Sequence, residues 1–182
     1  MVRNFEIAVF EGDGSGPEIM EPTVDILEKI AAGSPSYGLR CMAHPAGAAH
    51  YAKTGESLPR ASLEAASSAD AILLSAMGLP DVRYQDGTEI SPQIDLRKAF
   101  NLFAGVRPVR VGPGQRTPLK MPEGRSIDFV LIRESTEGLF HTQGIGEVTE
   151  NEARETLLIT RDVSDRKSTR LNSSHVKRYR MP

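Results

Sequence analysis

The chain has 182 residues, 39% hydrophobic and 25% charged, enough for one domain or a domain and a half and unlike a wholly disordered chain. A single cysteine, Cys41, excludes a disulfide framework, no paired Cys/His spacing indicates structural zinc, and apolar runs such as residues 69–77 fall short of a membrane span. The net charge of −2 conceals 17 basic against 24 acidic side chains over residues 1–166, an acidic body that argues against a nucleic-acid partner.

A reducing, cytoplasmic setting with no membrane partner is the expectation, since the opening residues MVRNFE also lack the basic start and apolar core of a secretory signal. Residues 5–10, FEIAVF, are a β-prone run that meets at once the glycine-dense turn GDGSG at 12–16. Pro17 suits the first helical position, where its missing N–H costs nothing, and Glu18 complements the positive helix end. Ile19, Met20, Val24, Leu27 and Ile30 recur at helical spacing until Gly33, Ser34 and Pro35 stop the pattern. A second strand is expected at 39–43, with short helices at 46–53, ended by Gly55, and at 61–68. Residues 71–76, AILLSA, predict a strand buried on both faces, as in a parallel sheet. This alternation implies α/β architecture.

Residues 80–92 are polar and read as an irregular loop. Residues 94–103 predict a short helix carrying Arg97 and Lys98, and residues 104–111 an extended strand. GPGQRTP at 112–118 is a turn-rich connection and a candidate domain border. IDFVLI at 127–132 predicts another buried strand, ending at Arg133 and Glu134, and residues 139–161 can form a hairpin or arm. The last stretch, 167–182, holds Lys167, Arg170, Lys177, Arg178 and Arg180 and no acid, with Leu171, Val176, Tyr179 and Met181 isolated among polar residues. Lacking an apolar stripe, it is expected to be a disordered tail foreign to the fold, of a frame-shifted or vector-like kind, or else a natural basic tail.

Taken alone, GDGSGPE at 12–18 departs both from the GxGxxG dinucleotide fingerprint and from phosphate loops that end in lysine. It reads equally as a structural turn and as a helix start whose N–H groups meet a cofactor ribose or phosphate. The arginines say more. Arg97 on a helix, Arg107 before a proline and Arg133 at the end of a strand are expected at element ends, where clefts of α/β proteins open. Singly, each is a surface ion-pair candidate; together, three planar guanidiniums can grip a polycarboxylate.

GDGSGPE at 12–18, the Leu96-Arg97-Lys98 and following LFAGVRP residues up to Pro108, and IRESTEG at 132–138 occur in the order and spacing of the isocitrate and isopropylmalate dehydrogenases, which the chain resembles over roughly residues 5–166. Residues 47–56 and 159–161 resemble that family too. The resemblance implies an α/β, isopropylmalate dehydrogenase-like two-domain fold, here truncated, with a parallel or mixed sheet and flanking helices. Residues 1–104 would be the N-terminal part of the first, larger domain. Residues 105–166 would open the second and include a segment able to serve as a dimer arm, and residues 167–182 would lie outside the fold. It also implies a homodimeric enzyme that oxidises a malate-like 2-hydroxy diacid with NAD or NADP and Mg²⁺ or Mn²⁺, then releases a carboxylate as carbon dioxide.

Carried over by position, Arg97, Arg107 and Arg133 would bind the shared carboxylates and Ser15 would lie near the cofactor. The loop before Arg97 would read the distinguishing substituent, and here it offers Ile90, Ser91 and Gln93. A polar Gln93 suits a polar group, so isocitrate and tartrate stand level with isopropylmalate.

Two departures bear on mechanism. Phe140 stands where the family carries a tyrosine that protonates the enol, a general-acid task that phenylalanine cannot perform. His141, whose unperturbed pKa is near neutrality, is a substitute candidate and equally a plain solvated or structural histidine. Family members run to about twice this length, so the metal ligands, the lysine base and the adenine loop are expected elsewhere. The chain alone is therefore expected to be inactive and to expose apolar edges. The competing expectation is a non-catalytic or regulatory module that binds a polycarboxylate or a full-length partner.

Overall fold

The computed structural model describes residues 3–120, 125–141 and 145–163; the basic tail falls outside them. Two compact units divide between Phe100 and Asn101.

The first unit opens on strand β1 (Arg3–Phe10), helix α1 (Gly16–Ala32) and strand β2 (Tyr37–Ala43). Helices α2 (Ala48–Thr54) and α3 (Arg60–Ser68) lead to β3 (Ala71–Leu74), and α4 (Pro92–Ala99) follows a long connection. The three strands make a parallel sheet in the order β2-β1-β3, with Phe5 opposite Leu39 and Ala8 opposite Ile72. Parallel pairing needs crossovers, and α1, then α2 with α3, supply them. Pro17 and Glu18 occupy the first turn of α1 as their chemistry demands. The helix also runs through Pro22, which is exposed and removes the bond that its N–H would have made to the Glu18 carbonyl.

Strand alternation divides the burial. Ala8 and Phe10, both essentially inaccessible, face a core of Ala46, Ala66 and Leu96, against which Leu58, Leu63, Ile72, Met77 and Phe100 pack. The apolar positions of α1 separate into two stripes. Met20 and Ala31 are buried and Val24 and Leu27 half-buried, while Ile19, Ile26 and Ile30 are each more than half exposed. Strand β3 is shorter than its sequence suggests and is not buried on both faces: Ala71 and Leu74 are exposed. Its only partner among the described residues is β1, so it forms an edge, and an apolar run does not specify which neighbours will cover it.

Residues 79–91 are more ordered than their polarity implies. Leu79 bridges Val82, Arg83 bridges Glu89, and a turn through Gly87 closes the segment. Tyr84 anchors it, with its hydroxyl 2.6 Å from the Ser57 hydroxyl and its ring edge-on to Tyr51. Helix α4 begins at Pro92 and stops at Ala99, four residues before the end of the expected helix, because Asn101 turns into a positive φ of 52°.

The second unit is built on strands β4 (Ala104–Val111) and β5 (Ile127–Glu134), paired antiparallel from Ala104 opposite Glu134 to Val111 opposite Ile127. Residues 112–118 therefore lie in the connection between two paired strands of one unit. The expected burial of β5 is not found. Phe129, Val130 and Leu131 are each about half exposed and Ile132 is 37% exposed. Alternation sends these four side chains to both faces of a two-stranded ribbon, and among the described residues no further strand joins it. The 139–161 segment forms a short hairpin of β6 (Glu147–Val148) and β7 (Ala153–Arg154).

Candidate functional site

In a parallel sheet, ligand-binding loops gather beyond the carboxyl ends of the strands. At that end of the first unit one carboxylate ties three loops together. Asp13, 3% exposed, accepts hydrogen bonds at Oδ2 from the N–H of Ala48 (2.7 Å) and of Gly78 (2.8 Å), and at Oδ1 from the N–H of Ala49 (2.8 Å). It thereby links the loop after β1, the start of α2 after β2, and the loop after β3. Its own N–H donates to the Ala76 carbonyl at 2.7 Å. Two glycines make room for this clasp. A Cβ on Gly12, at φ 77°, would lie 1.9 Å from the Ala76 oxygen, and one on Gly47, at φ 110°, would lie 2.5 Å from Asp13 Oδ2.

The glycine loop is thus a structural clasp before it is anything else. The Asp13 N–H is taken by Ala76, the Gly16 N–H by the Asp13 carbonyl, and Pro17 has none. Those three positions therefore offer no amide donor to a phosphate at this helix start. Ser15, the N-cap of α1, is exposed and its side chain makes no capping bond.

Ser91 is the N-cap of α4, with its hydroxyl 3.5 Å from the Glu89 carbonyl, and Gln93 lies in the first turn. Arg97 is in the last turn, half-buried on the same helix. The segment holding these residues is fixed by Ile90 and Pro92, both fully buried. Burial pushes the Asp95 carboxyl above its ordinary value, with nearby Lys98 acting in the opposite direction.

In the second unit the antiparallel register brings two of the expected arginines together. Arg107 pairs with Leu131, and Arg133 pairs with Gly105, so Arg107 and Arg133 project from one face as diagonal neighbours. Arg107 stands in the middle of β4, not at an element end as expected. Both are exposed. The Arg133 guanidinium lies over the Phe140 ring, 5.2 Å from its centroid, a cation–π contact. His141 is exposed in the same turn.

Carboxylates again hold the loop that follows. Glu134 accepts the N–H and hydroxyl of Thr136 and the N–H of Glu137. Glu137, 8% exposed, accepts the N–H and hydroxyl of Thr160, and the Gly138 N–H donates to the Leu158 carbonyl at 2.8 Å. The 132–138 and 159–161 motifs are therefore one construction, with Arg133 and Phe140 at the ends of a clamped loop. Asp13, Glu134 and Glu137 were not singled out from sequence. The available signal was an acidic residue beside Gly or Thr in a tight turn, a common place for a carboxylate to cap backbone N–H groups. Among the described residues, no group of three or more His, Cys, Asp or Glu side chains is placed to hold a metal ion.

The parallel sheet with its crossover helices, followed by a β-ribbon with two arginines on one face, defines an α/β protein. A family model for isocitrate/isopropylmalate dehydrogenase matches residues 6–174. The 3-isopropylmalate dehydrogenase of Streptococcus thermophilus is 40% identical over 155 residues, 82% of this chain and 43% of that protein. The 3-isopropylmalate dehydrogenase of Beutenbergia cavernae is 39% identical over 144 residues, 79% of this chain and 40% of that one. Among solved structures, isocitrate dehydrogenase from Methylococcus capsulatus superposes with a TM-score of 0.69 at 28% identity, covering 92% of this chain and 48% of that chain. A β-decarboxylating dehydrogenase from Thermococcus kodakarensis gives 0.59 at 32% identity, covering 91% and 43%. The chain belongs to the isocitrate/isopropylmalate dehydrogenase family. It spans less than half the length of the curated relatives it matches.

Proposed function

We propose that the chain is the substrate-arginine half of an NAD(P)-dependent dehydrogenase that oxidises, and decarboxylates, a malate-like 2-hydroxy diacid such as isopropylmalate, isocitrate or tartrate. The observation that carries this reading is the pairing of Arg107 and Arg133 on one ribbon face. Two guanidinium forks side by side suit the carboxylates of a small diacid. Arg97 and the Ser91–Gln93 turn would serve the remaining carboxylate and the substituent. Phe140 holds Arg133 through its ring and has no proton to give, so the proton that completes decarboxylation would come from His141 or water. Ser15 would meet the ribose of NAD, which is favoured slightly over NADP; the nicotinamide supplies hydride acceptance when bound.

Mg²⁺ or Mn²⁺ would take its ligands from the part of the relatives that this chain does not span. A homodimer of the longer protein, a cytoplasmic setting and a domain boundary near residue 104 belong to the same reading. Titrating the 182-residue chain with malate tests it. Arg107→Met and Arg133→Met should each weaken binding about tenfold or more, and NAD⁺ and NADP⁺ should not be reduced by the chain alone. Turnover by this chain with a 2-hydroxy diacid and Mg²⁺ would overturn the assignment of metal and base to the unspanned part. The second reading, a non-catalytic module, is favoured by the missing hydroxyl at Phe140; stable co-purification with a full-length homologue would support it.

A further inference from the structure

Arg133 leaves β5 with little beside it to fix its direction. Its cross-strand partner, Gly105, has no side chain, and among the described residues no carboxylate forms an ion pair with it. The guanidinium lies instead over the Phe140 ring, 5.2 Å from the centroid. A guanidinium stacked by its face keeps its N–H edge for a planar anion. The half-buried Phe140 stands seven residues further along, so the ring meets Arg133 only if the intervening turn is held.

Glu137 grips that turn from a distant segment. It is 8% exposed, and it accepts the Thr160 N–H at Oε2 (3.0 Å) and the Thr160 hydroxyl at Oε1. Beside it, the Gly138 N–H donates to the Leu158 carbonyl at 2.8 Å. Hydrogen bonds to an ionised carboxylate are roughly twice as strong as neutral ones. We infer that Glu137 is a positioning residue for substrate binding: its grip on Thr160 sets the Phe140 ring, and the ring presents the Arg133 guanidinium already oriented to a carboxylate of the diacid. This inference rests on the diacid reading above. A grip that served stability alone would lower the melting temperature without changing what Arg133 faces.

The Arg133 Nε–H signal of the ¹⁵N-labelled 182-residue chain reports the ring directly, because an aromatic face shifts a proton above it upfield. Phe140→Leu defines the signal without the ring. Glu137→Ala should move the signal to that position and weaken malate binding, read at Arg133, about threefold to tenfold, the factor for ordering one long side chain on binding. Glu137→Gln keeps both contacts, since its oxygen accepts the Thr160 N–H and its NH₂ donates to the hydroxyl, so it should restore the native shift and the affinity within about twofold. Should Glu137→Ala unfold the ribbon, seen as lost cross-strand contacts between β4 and β5, Thr160→Val takes its place; it removes only the hydroxyl donor and should move the signal part of the way. An Arg133 signal unchanged in Glu137→Ala, or in Thr160→Val where that variant decides, overturns the inference, as does a Glu137→Gln chain that behaves like Glu137→Ala. A moved signal with unchanged malate affinity also overturns it and leaves the diacid reading standing. If malate leaves the Arg133 signal of the unsubstituted chain unmoved, the diacid reading falls and takes the inference with it.

Discussion

Replacing Asp13 with alanine should be among the most damaging single changes in the first unit. It removes the acceptor of three backbone N–H groups, those of Ala48, Ala49 and Gly78. Hydrogen bonds to a charged group contribute about 1.5–3 kcal/mol each, and a buried donor left unpaired costs about 1–3 kcal/mol. Ala48 is fully buried, so its N–H has no route to water; Ala49 and Gly78 are half-buried and can recruit water in part. The loss is therefore dominated by Ala48 and amounts to about 3–5 kcal/mol, a large share of a typical domain's stability. Asp13→Asn keeps one acceptor oxygen. Placed at the Oδ2 position it retains Ala48 and Gly78, while the amide NH₂ then faces the Ala49 donor, so the cost falls to about 1–3 kcal/mol. Urea unfolding gives the free energies, and hydrogen exchange at Ala48, Ala49 and Gly78 localises them. An Asp13→Ala loss below about 1 kcal/mol with unchanged exchange at Ala48 would refute the view that this carboxylate holds the three loops together.

Three further outcomes are expected. Tyr84→Phe should cost about 1 kcal/mol through the lost Ser57 bond and speed exchange across residues 82–90 while leaving the strands untouched, as native-state exchange would register. Asp95 binds its proton more tightly in the native state than in the unfolded chain, so it lowers stability as pH rises from the unfolded carboxyl value of about 3.9 through the higher native one. Asp95→Asn should therefore flatten the fall in melting temperature over that window and leave the chain no less stable at pH 7. Val130→Lys, on a half-exposed position of β5, should reduce light scattering of concentrated solutions without lowering the melting temperature; unchanged scattering would mean that the apolar ribbon does not drive association.

Periodicity located most elements because it reports local backbone geometry. The stripe running from Ile19 to Ile30 marks α1, Pro17 and Gly33 mark its ends, and the β-prone runs at 5–10 and 104–111 coincide with β1 and β4. Periodicity said little about coverage. AILLSA and IDFVLI both suggest buried strands, yet β3 is an edge and β5 is exposed on both faces, because burial depends on neighbours that a local pattern does not encode. The loop at 80–92 looked irregular because its order comes from Tyr84 reaching Tyr51 and Ser57, contacts distant along the chain.

The candidate site divides in the same way. By itself, the sequence determined the α/β alternation, the glycine turn, the three arginines and the phenylalanine at position 140, since each is a residue type at a readable spacing. Tertiary structure alone decided that Arg107 and Arg133 share a face, because strand register sets which side chains become neighbours. It alone gave Asp13 and Glu137 their work as acceptors for distant backbone N–H groups, whereas Glu134 caps donors only two and three residues further along its own turn. The donors to Asp13 lie 35 to 65 residues away, and those to Glu137 lie 23 away, so no local pattern could name them; only the folded chain brings them within hydrogen-bond reach.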